Sequence, residues 1–83
     1  MANPQVQYDD ETDVLYVRLL PGAKVARTHS LDDMRLIDYS SDGAVVGVEF
    51  VDASGGVDLR DVPFAHKVEK LIGDAGLELP LFA

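Results

Sequence analysis

Residues 44–53, AVVGVEFVDA, constrain the fold more than any other stretch of the chain. Val46, Val48 and Phe50 alternate on one side of a strand, and Val45, Gly47, Glu49 and Val51 on the other, so both sides are apolar apart from one acid. Such a strand needs cover on both faces. That places it centrally in a sheet, with a helix over one face and something else over the other. The preceding SSDG, residues 40–43, carries Asp42-Gly43 and predicts a two-residue turn of positive φ, joining the strand to MRLIDYS as an antiparallel hairpin.

The rest of the chain supplies the partners of that strand. VQYDD and DVLYVRLL flank the turn residues DDET as a second hairpin, and Pro21-Gly22 ends it. KVARTHSL reads as a further strand, turned by Leu31-Asp32-Asp33-Met34 into MRLIDYS. The glycine-rich DASGGVDLRDVPF leads into one helix, with Asp61 as its cap, Pro63 in its first turn, and Phe64, Val68, Leu71 and Ile72 on one face. Gly73 or Gly76 terminates it. In the tail, residues 77–83, Leu77, Leu79 and Leu81 alternate about Glu78 and Pro80, as an edge strand or an arm laid on a partner; Pro80 argues against a central position.

The expected fold is a single α+β domain over residues 1–83, in which antiparallel β-hairpins form a small sheet followed by one packed C-terminal helix. One short helix covers one face. The other, carrying Val45, Val51 and either Leu15, Val17 and Leu19 or Val14 and Tyr16, is expected to form a homodimer interface.

Composition narrows the functional classes. A chain of 83 residues buries only about 60 to 65% of the surface its unfolded form exposes, and without Cys it has neither a disulfide staple nor a thiolate nucleophile. Lys and Arg number 7 against 15 Asp and Glu, a net charge of −8, which disfavours nucleic acid and anionic membrane surfaces as partners. No apolar run reaches the roughly 18 residues that span a bilayer, the N-terminus lacks a basic flank and an apolar run, and a cytoplasmic address is expected. A hydrophobic fraction of 47% fits a folded domain and not an acidic disordered tail.

Few residues suggest chemistry. Asp9, Asp10, Glu11 and Asp13 crowd one corner, but a calcium loop begun at Asp9 would need Gly at its sixth position and Glu at its twelfth, where Val14 and Leu20 stand. A turn built by Asp side chains accepting backbone N–H groups is the simpler reading. His29 and His66 are too few to specify a zinc site. Glu49, flanked by Val48 and Phe50, is expected to be partly buried and paired with Arg18 or Arg35; a general acid or base at Glu49 is the sharper alternative. Gly43, Gly47, Gly55 and Gly56 do not form a phosphate loop, and Ser30, Ser40, Ser41 and Ser54 lack a nucleophile-elbow context. Tyr8, Tyr16 and Tyr39 fit core or interface packing with the hydroxyl at the rim. No catalytic, cofactor-binding or metal-ligating residue is assigned.

Two spaced motifs carry a resemblance. Residues 8–19, YDDETDVLYVRL, followed by DYSSDGAVVGVEF, resemble the small prokaryotic family catalogued as domain of unknown function 2283, with its Y-D-x-x-x-D-x-L-Y-I-x-L and later D-x-D-x-x-G-x-[IV]-[VI]-G-[IL]-E-[IL] segments. Tyr8, Asp9, Asp13, Leu15, Tyr16, Val17 and Leu19 occupy the first, and Asp38, Gly43, Val45, Val46, Gly47, Val48, Glu49 and Phe50 the second, with Ser40 in place of an acid and Phe50 in place of an aliphatic residue. The resemblance implies a compact β-rich domain with a C-terminal helix and no established activity. The expected function is that of a non-enzymatic, homodimeric interaction or structural domain; the alternatives are a small-ligand or divalent-cation binding protein, and a small hydrolase using Glu49, His29 or His66.

Overall fold

The structure is a computed structural model that describes residues 5–82. Strands β1 (Val6–Asp9), β2 (Val14–Arg18), β3 (Arg27–Asp32), β4 (Arg35–Tyr39) and β5 (Val45–Val51) form an antiparallel sheet of order β1-β2-β5-β4-β3. A 3₁₀ turn (Ala53–Gly55), β6 (Val57–Asp58), helix α1 (Ala65–Asp74) and β7 (Leu81–Phe82) follow. The fold is α+β, and β5 is the central strand that its two-sided apolar pattern requires.

Register fixes which face each side chain takes. Leu15 lies opposite Phe50 and Val17 opposite Val48, while β4 sets Arg35 against Phe50 and Ile37 against Val48. These residues share the inner face and are buried with Leu19, together with Val57, Leu59, Val62, Val68 and Ile72 from the chain that covers them. Full burial of one such side chain stabilises by about 1.5 to 3 kcal/mol. Helix α1, ten residues long, is below the roughly 12 to 15 at which an isolated helix persists, so its packed Val68 and Ile72 hold it in place.

Several local expectations change in three dimensions. The β4–β5 corner closes with Gly43 N–H donating to the Ser40 carbonyl at 3.0 Å, and only Gly43 (φ 88) is left-handed, so the turn centres on Ser41 and Asp42 and hands over to a glycine bulge position. Asp61 does not cap α1: the helix starts at Ala65, with Phe64 (φ 56) as the flanking residue and no side-chain cap. The reason lies just upstream, where buried Leu59 and Val62 close a turn through the Val62 N–H and the Leu59 carbonyl at 3.2 Å and take the core positions. Phe64 is consequently 64% exposed and leaves the helix's buried face. Gly76 (φ 75), not Gly73, ends the helix.

The tail folds back on its own chain. Leu77, Leu79 and Leu81 pack against the core, and β7 pairs in parallel with β6. The Pro80 carbonyl accepts the Val57 N–H at 2.7 Å, so proline enters this ladder through its acceptor, and its missing donor costs nothing. Residue 83, the last of the expected arm, lies outside the described residues.

One-sided cover is confirmed in form but redistributed in detail. Leu15, Val17 and Leu19 are under the helix and tail, and Val45 packs inward beside Tyr39, so these four do not belong to the uncovered face. Val14, Tyr16, Leu36 and Val51 do.

The closest approach on that face is at Gly47, where a Cβ would stand 2.5 Å from Tyr16 Cζ and 2.8 Å from the Val17 carbonyl oxygen. Gly47→Ala should therefore cost about 1 to 3 kcal/mol, read as a lower urea midpoint at unchanged m-value. Because the Val17 contact is backbone, adding Tyr16→Ala should not restore the loss; an unchanged midpoint in the single variant would refute this packing.

Candidate functional site

On the open face the backbone alternation turns Tyr16 and Arg18 of β2, Gly47, Glu49 and Val51 of β5, and Leu36 and Asp38 of β4 outward. Because Gly47 has no side chain, the Tyr16 ring leans over it and its hydroxyl donates to Asp38 Oδ2 at 2.9 Å. Thr28 Oγ1 of β3 donates to the other carboxylate oxygen at 2.6 Å. Asp38 thus binds hydroxyls from two other strands. Arg18 lies over the Tyr16 ring, its Cζ 5.5 Å from the centroid. Burial, followed by the hydrogen bond to Asp38, pushes the Tyr16 phenol up to about 12.

The face divides by chemistry. Around Gly47 it is polar, with Tyr16, Arg18, Asp38 and Thr28. Toward the other end Val14 faces Val51 across the ladder, Leu36 lies beside Glu49, and Met34, 40% exposed, accepts the Val51 N–H with its carbonyl at 2.8 Å. Glu49 sits in register between Tyr16 and Leu36 and is half-buried, as its flanks predict. Neither expected arginine pairs with it among the described residues. Arg18 stacks on Tyr16, and Arg35 points to the opposite face.

A second Tyr–Asp pair joins the first hairpin to the end of β5. The Asp9 carboxylate accepts the Glu11 N–H at 3.0 Å and shapes the corner, while Asp13, left-handed at φ 58, accepts from the Tyr8 hydroxyl (2.6 Å), the Ser54 hydroxyl (2.5 Å) and the Ser54 N–H (2.9 Å). Hydrogen bonds from Ser54 and then Tyr8 hold the Asp13 carboxyl below the usual range, and the bond to Asp13 pushes the Tyr8 phenol up to about 12. Asp10 and Glu11 remain exposed.

Arg35 makes a third cluster. Although only 8% exposed, it donates through Nε and Nη2 to Asp32 Oδ2, at 3.0 and 2.8 Å, and through Nη1 to the carbonyls of Asp58 and Arg60. Its bond to Asp32 holds that carboxyl below the usual range; Asp58 is lowered chiefly by Arg60, with Arg35 adding. This guanidinium ties β4 to the segment around β6, and its donors are directed at protein groups.

The remaining candidates do not converge. His29 is exposed on the edge strand β3 and His66 is exposed on α1. Ser30, Ser40 and Ser54 donate to Asp32, Asp42 and Asp13 in their own turns and clamps. Among the described residues no three His, Asp or Glu groups are placed to hold a metal ion, and no helix is long and apolar enough to cross a membrane. Sequence reasoning missed Asp38 as a hub and Ser54 as a clamp. A glycine inside an apolar strand was the available signal for the first, since it marks close approach of another group.

The chain belongs to the family described as protein of unknown function (DUF2283), whose model matches residues 5–54. That span contains all five strands of the antiparallel sheet and ends on Ser54, the partner of Asp13; α1 and β7 lie beyond it. No match was found among curated proteins or solved structures.

The two Tyr–Asp pairs make alkaline pH informative. A group whose folded pKa is raised contributes stability fully present below its unfolded value, near 10 for Tyr, and lost as pH rises through the folded value. Two tyrosine ionisations are expected near pH 12 in phenolate absorbance, with stability falling between pH 10 and 12. Tyr16→Phe should remove one of the two. Both ionising at pH 10 in the folded chain would refute the assignment.

Proposed function

We propose that this chain is a non-enzymatic interaction domain that pairs with a second copy of itself through the open face of the five-stranded sheet. The observation supporting it is the apolar strip of Val14, Val51 and Leu36 beside a polar network that is already internally bonded. A bonded network keeps its shape when water leaves, and the strip supplies the area whose burial drives association.

Scale sets the expected strength. Five strands about 4.8 Å apart and five residues long give a plan area of roughly 400 Å², below the ~800 Å² per partner of a standard interface. A patch of this size fits a weak, reversible pair. The net charge of −8 on each copy opposes it, so screening by salt should favour the dimer. The C-terminal arm is not the pairing surface in this reading, because Leu79 and Leu81 pack within their own chain.

Sedimentation equilibrium from 10 to 500 µM should show a rising dimer fraction, larger at 500 mM than at 50 mM NaCl. Val51→Asp and Leu36→Asp, checked for retained fold by circular dichroism, should shift it toward monomer at least tenfold in Kd. Monomer mass throughout the series would overturn the proposal.

A further inference from the structure

On the helix side of the sheet, away from the open face, Leu19, Leu20, Ala44, Val45, Phe64 and Lys67 line a groove of about 390 Å³. The volume lies within the range of small-molecule sites. Its rim is unusual in two respects. Phe64 is a bulky residue held left-handed at φ 56 while 64% exposed, a combination that local structure does not favour and that recurs at ligand clamps. Leu20 beside it is 40% exposed.

Charge narrows the occupant. None of the lining residues is acidic, in a chain with 15 acids, and Lys67 is the one charged group among them. Arg18 and Arg27 lie over tyrosine rings, and Arg35, Arg60 and Lys70 form ion pairs. Lys24 and Lys67 have neither kind of partner among the described residues, and of the two Lys67 lines the groove. An apolar trough with one lysine in its lining and no acid complements a molecule with an apolar body and one negative end. We infer that the groove binds a small aliphatic carboxylate, its chain along Leu19, Leu20, Val45 and the Phe64 ring and its carboxylate against Lys67 Nζ. A second copy fits less well, since in the reading above it uses the other side of the sheet.

The test is a ¹H–¹⁵N NMR titration of the full chain with hexanoate, octanoate and decanoate up to 2 mM, with decanol as the uncharged probe. Saturable shifts are expected at Leu20, Ala44, Val45, Phe64 and Lys67, with affinity rising by up to about fourfold per CH₂ and decanoate binding several-fold tighter than decanol. Lys67→Met should erase that preference while both probes still bind. Phe64→Gly, which relieves the left-handed backbone, should keep the fold and weaken both several-fold. No saturable shift at these amides with 2 mM decanoate, equal binding of decanol and decanoate to the unaltered chain, or a preference that survives Lys67→Met would overturn the inference. So would shifts at these amides produced by protein concentration alone, which would assign the groove to a second copy. Val51→Asp should bind decanoate like the unaltered chain, so failure of the sheet-face dimer leaves this result readable.

Discussion

The register of β2 against β5 is the constraint on which the remaining structure depends. Leu15 opposite Phe50 and Val17 opposite Val48 place the largest apolar side chains of both strands on one face, where α1 and the tail can reach them. A slip of one residue would send that set to the open face and turn Tyr16 and Glu49 into the core, exposing apolar area and burying polar groups together. The same register sets Gly47 beside Tyr16, so the polar network of the open face is a consequence of the core alignment and not a separate invention.

Two Tyr–Asp pairs then lock the register from opposite sides. Tyr16 and Thr28 meet on Asp38 across the sheet, and Tyr8 and Ser54 meet on Asp13 at its end. In each, both carboxylate oxygens accept hydrogen bonds from hydroxyls, which makes the arrangement directional in a way that hydrophobic contact is not. The family-matched span ends on Ser54, so it includes both pairs but not the helix. In this chain the matched span holds the sheet and both clamps, and the helix and tail, which lie outside it, complete the inner layer.

Much of this was legible from residue pattern. Two-sided apolarity put β5 at the centre, the turn residues placed the hairpin corners, and the failed calcium spacing left Asp9 to Asp13 as a hairpin turn; that Asp13 also clamps Ser54 was not visible in it. Failures occurred where long-range packing overrode local preference. Phe64 has the right spacing for the helix's buried face, yet Leu59 and Val62 reach the core first and the chain turns Phe64 out. Asp61 has the right chemistry for a cap, but the helix begins too far along for it to reach. The short β6–β7 ladder carries no periodic signal of its own, because two residues pairing across more than twenty positions are too few to show one.

The sequence by itself determined the class of fold, the central strand and the C-terminal helix, because these follow from alternation, turn chemistry and composition, all of which are local. Only the tertiary structure decided which face was covered, that no arginine pairs with Glu49 among the described residues while Asp38 gathers two hydroxyls, and that Lys67 lines an apolar groove. Those outcomes depend on register and on the path of the covering chain, which bring together residues that no spacing along the sequence connects.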